Sequence, residues 1–412
     1  VKLHGFSRSL AILFLAGLLL AGCKSSNAGG SASGSGIGNK TSLLIGFPVS
    51  LTGANADSGK LMRDAYQFWA DTVNAKGGLK VGDKSLKIQL KYYDDESNAN
   101  TSATIAQKLI SEDKVDFLLG PYASANNLTV QTVAEKNHYV MMDTEGASND
   151  IFTKGYKYTV GNPALATDVP KPAVDFLASL NPKPKIAVFW ADDAYSKVVG
   201  QAMVDQSKAK GLEVVVAQQY TSGLKDFSTL ITQAKAANAD VVFGAGHQDE
   251  AIQIVKQEQQ LNYKPSATMQ TVGPSQPGFF QALGPSAEGQ FGLIGWAPTI
   301  KAFKDDLFGD SPTFAANFKK AIGYDPEYHV AQSAAGAELL GLAIQKANSL
   351  DQDKVLAALR GLDVMTVNGP FKTRPDGSNA AVEELLGQDM NGTMVAVWPD
   401  KFASTKPKFP VK

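Results

Sequence analysis

From residue 43 onward, short runs of continuous apolar side chains alternate with longer segments whose apolar residues recur every three or four positions. The first kind is what a strand covered on both faces requires, and the second is the stripe of an amphipathic helix. The runs predict strands at 43–47, 86–93, 117–119, 140–142, 186–190, 214–217, 241–243 and 268–272. The stripes between them predict helices at 58–75, 101–111, 127–135, 197–209, 228–236 and 250–260. Such alternation predicts an α/β chain with parallel sheets, in two doubly wound series that divide near 158–164. A later apolar segment at 291–298 precedes long helices at 313–322 and 332–348. The tail adds strands at 367–373 and 394–398 with a Pro375-Asp376-Gly377 turn between them. Nothing repeats strongly at the roughly 20–50-residue period of a solenoid.

The first 22 residues break this pattern. Lys2 and Arg8 are their only formal charges, and residues 10–21 are continuously apolar. That run is short of the roughly 20 residues needed to span a bilayer. A basic start, a short apolar run and small residues at its end describe a secretory signal peptide. Leu20-Ala21-Gly22-Cys23 resembles the bacterial lipobox, in which Cys23 is diacylated and becomes the first residue. Two acyl chains hold a protein at a membrane where one does not, so Cys23 is the expected lipid anchor. Residues 24–40 are rich in Gly, Ser and Asn and nearly free of apolar side chains. They cannot offset their ordering entropy by burial, so residues 23–40 are expected to be a lipidated, flexible tether.

Composition narrows the function. At about 150 residues per domain, 412 residues hold two or three domains with full cores. The 39 basic and 40 acidic side chains nearly cancel, without the basic excess a nucleic-acid binder needs. One Cys allows no internal disulfide and no thiolate metal cluster, and four His make a histidine-rich metal site a poor expectation. No H-E-x-x-H, P-loop or G-x-S-x-G motif is present. Asp94-Asp95-Glu96 has the look of a clustered acid site, but a solvated turn is the better expectation. No cofactor, metal or catalytic residue is implied.

Several short stretches then carry a resemblance. They are Gly46-Phe47-Pro48-Val49-Ser50-Leu51-Thr52-Gly53, Ala75-Lys76-Gly77-Gly78-Leu79, Tyr93-Asp94-Asp95-Glu96 and Gly120-Pro121-Tyr122-Ala123-Ser124, followed by Lys225-Asp226-Phe227-Ser228 and Asn368-Gly369-Pro370-Phe371. In this order and spacing, the chain from about Thr41 onward resembles type I periplasmic binding proteins of the Leu/Ile/Val-binding group, the solute receptors of ABC importers. The resemblance implies two Rossmann-like lobes joined by three crossing strands, near 160–164, 295–297 and 368–371. Lobe 1 would comprise 41–162 with 296–368, and lobe 2 would comprise 163–295 with 369–412.

Ligands of parallel α/β sheets bind beyond the carboxyl ends of the strands, where helix N-termini offer free N–H groups. Ser124 therefore stands where a carboxylate or carbonyl would be held, and the resemblance gives it the ligand-carboxylate role; as a bare residue it is equally a helix cap. Tyr122 and Ala123 beside it are expected at the ligand. Ser50, Thr52 and Ser58 belong to the first strand-end loop, with Ser58 taken as a contact. In the next loop, Ala147 or Ser148 takes a position where the family has a Thr. Glu145 is a departure from the family's small residue there; it either receives a ligand amine or faces solvent. Across the cleft, Tyr195 and His247 close strand ends, with Asp192 or Asp193 as a helix cap. At 268–272 the family's aliphatic amino-acid binders carry a carboxylate, whereas this chain offers Gln270 and Thr271. Trp296, with Tyr328 or His329, is expected to complete an aromatic cage or else to pack in the core.

The function this implies is an extracytoplasmic, lipid-anchored, monomeric receptor of an ABC permease and ATPase, binding an amino acid or a related amide or carboxylate. The same fold would also serve a signalling partner as a sensor, with small amides or aromatic acids as ligand. A secreted hydrolase lacking its usual motif is the third possibility.

Overall fold

The computed structural model describes residues 37–411. The expected signal peptide and the lipobox cysteine, Cys23, lie outside the described residues. Eleven strands form the bodies of two sheets: β1 (Ser42–Val49), β2 (Leu79–Val81), β3 (Lys84–Asp94), β4 (Phe117–Leu119), β5 (Met141–Asp143) and β6 (Thr159–Gly161), then β7 (Lys185–Ala191), β8 (Glu213–Tyr220), β9 (Val241–Ala245), β10 (Ala267–Gln270) and β11 (Phe291–Ile294). Two small hairpins follow, β12 (Lys304–Asp305) with β13 (Gly309–Asp310) and β14 (Asp363–Thr366) with β15 (Gly369–Lys372). The last strands are β16 (Leu385–Met390) and β17 (Thr393–Trp398).

The lobe 1 sheet has the order β2-β3-β1-β4-β5-β6, and the lobe 2 sheet the order β17-β16-β11-β10-β9-β7-β8. Pairing is parallel from β3 to β6 and from β8 to β11, while β2, β16 and β17 join antiparallel at the edges. Every residue of β4 and β9 is buried, as parallel strands covered on both faces must be. In both sheets the order reverses beside the first strand, β1 lying between β3 and β4 and β7 between β8 and β9. A reversal of this kind leaves a crevice beyond the carboxyl ends of the strands, because the adjacent helices depart to opposite faces.

Lobe 1 carries α1 (Ala56–Ala75), α2 (Ala99–Ser111), α3 (Ser124–Asn137) and α4 (Asp150–Thr153). Lobe 2 carries α5 (Lys171–Ser179), α6 (Ser196–Ala209), α7 (Ser228–Ala236), α8 (Gln248–Gln260) and α9 (Pro277–Leu283). The chain then returns through α10 (Ser311–Ile322), α11 (Tyr328–Ala347) and α12 (Gln352–Arg360). These last three pack into the lobe 1 core, where Phe314, Phe318, Leu339, Leu340 and Val355 join Tyr66 and Trp69 of α1. Helix α11 is buried along most of its length and rich in Ala and Gly, which lets it lie close to its neighbours. Among the described residues no helix is long and apolar enough to cross a membrane.

Several expectations change. The tether does not run to Lys40: Ile37 is 3 % exposed in the lobe 1 core, and Lys84 Nζ donates to the Gly38 carbonyl. The third passage between lobes is later than 368–371. Asn368 is the turn of the β14–β15 hairpin, Val367 and Phe371 pack in lobe 1, and the Gly377 carbonyl accepts from Gly161 N beside β6. The chain enters the lobe 2 sheet only at Leu385, so residues 369–377 stay with lobe 1. The strands expected at the tail therefore lie in different sheets, and β16 between them gives no apolar run because its Gln388 and Asp389 are buried polar residues.

Asp94-Asp95-Glu96 is a solvated turn only at Glu96. Asp95 is fully buried and accepts from Ser50 Oγ and Ser102 Oγ at 2.7 Å and from Asn126 Nδ2 and Ser97 N at 2.9 Å. Those bonds tie the end of β1 to α2 and α3. This is a structural anchor, and it explains why the polar Ser50 can be buried.

Candidate functional site

Both sheets present their carboxyl ends to one cavity with about 530 Å³ of atom-free space. From lobe 1, Tyr122, Ala123, Ser124, Glu145 and Ala147 reach it from the loops after β4 and β5. From lobe 2, Tyr195 and His247 reach it from the loops after β7 and β9. Tyr328, His329 and Gln332 enter along α11, and Glu384 from the segment before β16. Pro163, Ala164, Val169, Val272 and Leu293 supply an apolar floor.

Ser124 opens α3, and its hydroxyl oxygen accepts from Ala147 N at 3.1 Å and Ser148 N at 3.0 Å. Both lone pairs are then engaged, while the hydroxyl proton meets no acceptor among the described residues. The side chain can therefore only donate into the cavity. The residue before it, Ala123, holds φ 68° and ψ 144°, a conformation ordinarily kept for glycine. Asn127 Nδ2 maintains that turn by donating to Pro121 O at 2.8 Å and Ala123 O at 3.0 Å.

Glu145 is 8 % exposed and is held by two residues of α11. Its oxygens accept from Gln332 Nε2 at 3.1 Å and Ser333 Oγ at 2.6 Å. Burial pushes its carboxyl up to about 8; His329 and Ser333 pull it back, and Glu327 and Asp143 add to it. Asp143 beneath it is also pushed up to about 7 by burial, against the Gly146 and Glu145 N–H groups it accepts from. Glu384, half-buried and without a hydrogen-bond or ion-pair partner among the described residues, is raised to about 7 by burial and by Asp168, with His329 opposing.

Each of the two cavity histidines faces a carboxylate. Glu327 accepts from His329 Nδ1 at 2.9 Å; a carboxylate only accepts, so Nδ1 carries the proton. Tyr328 stacks on His329 with ring centroids 4.0 Å apart. His247 Nε2 lies 3.6 Å from Asp193 Oδ2, and His247 Nδ1 lies 3.4 Å from the Tyr122 hydroxyl of the other lobe. Burial opposes charge on both imidazoles, but Asp193 raises His247 and Glu327 raises His329 above the ordinary value. Neither aspartate is the N-cap of α6, which is Tyr195, but Asp193 two residues earlier accepts from Tyr195 N at 2.9 Å and from the first helical N–H, Ser196 N, at 3.0 Å. Asp192 instead accepts from Ser222.

Four sequence candidates stand elsewhere. Ser148 donates its backbone N–H to Ser124, but its own hydroxyl accepts from Asp150 N at 3.4 Å. Thr271 is engaged with both backbone groups of Gly246 and so secures the end of β9 behind the cavity. Trp296 is a core residue, its Nε1 donating to Ser311 Oγ at 2.9 Å and its ring 5.8 Å from Phe314. Ser58 accepts from Gln276 Nε2 of lobe 2 at 2.8 Å, a contact between lobes. Gln270 is likewise turned away, donating to Ala251 O at 3.0 Å. Glu384 and Gln332 are cavity residues that periodicity did not reveal. The only signal for Glu384 was a charge directly before the apolar Leu385-Leu386, inside a strand that itself went unrecognised.

Direct hydrogen bonds join the lobes around the cavity. Gln248 Nε2 donates to Asp57 Oδ2 at 2.9 Å, and Ser275 Oγ to Glu327 Oε2 at 3.0 Å, beside the Ser58–Gln276 bond. Among the described residues no three His, Cys, Asp or Glu side chains group as metal ligands. The cavity thus offers a donor-only hydroxyl at one wall, carboxylates at others, aromatic rings and an apolar floor.

A family model described as periplasmic binding protein matches residues 42–388. Leu/Ile/Val-binding protein homolog 8 of Brucella abortus (strain 2308) is 25% identical over 394 residues, covering 88% of this chain and 91% of that one. The branched-chain amino acid transporter substrate-binding protein LivJ of Streptococcus pneumoniae, solved with isoleucine, superposes with a TM-score of 0.77 at 18% identity, covering 86% of this chain and 98% of that one. A solute-binding protein of an ABC transporter from R. palustris, solved with benzoate, gives 0.74 at 17% identity, with 90% and 99% covered. The match runs from β1 into β16, and the chain accordingly belongs to the periplasmic binding proteins, in the type I, Leu/Ile/Val-binding-like family of solute receptors.

Proposed function

We propose that this protein captures an amino acid or a related carboxylate or amide between its lobes, outside the cytoplasm, and delivers it to an ABC permease and ATPase. It does so as a monomer held at the membrane through a lipidated Cys23, and no bond in the solute is made or broken. The observation that carries this reading is Ser124. Its hydroxyl has both lone pairs engaged and its proton unspoken for, at the first turn of a 14-residue helix whose N–H groups favour an anion. A solute carboxylate or carbonyl is the partner such a donor needs. Two structural relatives were solved with small carboxylates, isoleucine and benzoate, which supports a ligand of that class. Bonds such as Asp57–Gln248 and Ser58–Gln276 support a closed form that a bridging solute would stabilise.

The test is a thermal-shift screen of the refolded, ligand-stripped protein against amino acids, short amides, urea, and aliphatic and aromatic carboxylates. A true ligand at 100 times its dissociation constant adds about 2.7 kcal/mol, a shift of several degrees. The Ser124→Ala variant should bind the hit more than about tenfold more weakly, since a hydrogen bond to a charged group contributes about 1.5–3 kcal/mol. A screen in which no compound shifts the melting temperature defeats the proposal.

A further inference from the structure

We infer that the solute carries more positive than negative charge: it is a cationic amino acid, with a second amine or a guanidinium beyond its α-ammonium. The inference rests on the receptor reading above and goes further by choosing among its ligand classes. It comes from a count of charges on the cavity wall. Glu145 and Glu384 both line the cavity, and no Lys or Arg does. The two histidines of the wall are already committed, His247 to Asp193 and His329 to Glu327. What remains is two carboxylates facing a site with no Lys or Arg, its two histidines each already paired with another carboxylate.

A neutral zwitterion leaves this unbalanced. Its carboxylate goes to the Ser124 hydroxyl and the α3 N-terminus, and its ammonium satisfies one of the two acids. The second acid would then stay without a partner, either as an unpaired charge, which is strongly unfavourable, or by keeping its proton, in which case it adds nothing to the grip on the solute. An aromatic or aliphatic monocarboxylate is worse, since it adds a third negative charge and no positive one. A second cationic group completes the pairing. In the ligand-free cavity burial raises both acids towards neutrality; Glu327 and Asp143 for Glu145, and Asp168 for Glu384, raise them further, while His329, itself paired with Glu327, draws each only part of the way back. Glu145 has both oxygens accepting, from Gln332 and Ser333, a pattern that suits the ionised form a ligand cation would restore.

Titration calorimetry of the full-length, refolded protein with L-lysine, L-arginine, L-leucine, L-glutamine and benzoate tests this. L-lysine or L-arginine should bind at least about tenfold more tightly than L-leucine or L-glutamine, in line with one added charge-assisted hydrogen bond. Benzoate should not bind measurably. In Glu384→Gln, and separately in Glu145→Gln, that tenfold advantage should shrink to about threefold or less. Tighter binding of L-leucine, L-glutamine or benzoate overturns the inference while leaving the receptor reading in place, because a small solute is still captured. An advantage for L-lysine that survives in both variants overturns it as well. If no compound of the wider panel binds at all, both fall together.

Discussion

At Ser124, one hydroxyl does two jobs that a single substitution separates. Its oxygen satisfies two buried N–H groups, and its proton is left for a ligand. Ser124→Ala should therefore lose stability as well as affinity, by about 1–3 kcal/mol in denaturant titration, because Ala147 N and Ser148 N lose their acceptor. The buried acids make a second prediction. Glu145, Asp143 and Glu384 hold their protons more tightly folded than unfolded, to about 8, 7 and 7 respectively. The folded state then binds more protons through that range, so the contribution is complete below the ordinary carboxylate value and is lost as pH rises through 7 to 8. The raised His247 and His329 act in the same direction. The melting temperature of the ligand-free protein should fall between about pH 5 and pH 8.5, with a shallower slope in Glu145→Gln. The type and position of Ser124 were legible in the sequence from its strand-end place. The saturation of its lone pairs was not, because Ala147 and Ser148 come from another loop.

The elements around the cavity show why some boundaries were visible and others hidden. Helix α3 begins three residues before its apolar stripe suggests, since its buried side is polar: Ser124, Asn126, Asn127 and Gln131 are each at most 2 % exposed. Hydrophobic periodicity cannot detect a helix face that packs through hydrogen bonds. Strand β16 escaped for the same reason, its Gln388 bonded to the backbone of Gly289 and Lys408. By contrast β1, β4 and β9 were legible because both of their faces are covered. The start of α3 carries backbone strain at Ala123, which glycine would relieve. Ala123→Gly should stabilise the protein by about 1 kcal/mol, measured by thermal unfolding. Helix α11 lies so close to the β5 loop that a Cβ on Gly336 would sit 2.4 Å from Thr144 Cγ2. Gly336→Ala should cost about 1–3 kcal/mol through overpacking, and should weaken ligand binding by displacing the neighbouring Glu145.

Across the whole molecule, the lobes meet through few polar contacts, and these bias closure. Gln276 is fully buried and donates to Ser58 of the other lobe. Gln276→Ala should reduce ligand affinity by about two- to tenfold, the range of one ordinary hydrogen bond, while small-angle scattering shows a larger radius of gyration without ligand. An unchanged affinity and radius would mean that this bond plays no part in closure. The sequence by itself determined what local patterns can encode. It gave the strand–helix alternation, hence two doubly wound lobes, and it placed Tyr122, Ser124, Glu145, Tyr195 and His247 at strand ends. Only the tertiary structure decided which of those ends converge. It turned Trp296 into the core, set Ser58 and Thr271 to bonding protein rather than cavity, and brought Glu384 to the cavity wall beside His329. The reason is physical: periodicity reports which side of its own element a residue faces, whereas charge balance in a cleft depends on residues more than 200 positions apart meeting across two lobes, as Glu145 and Glu384 do.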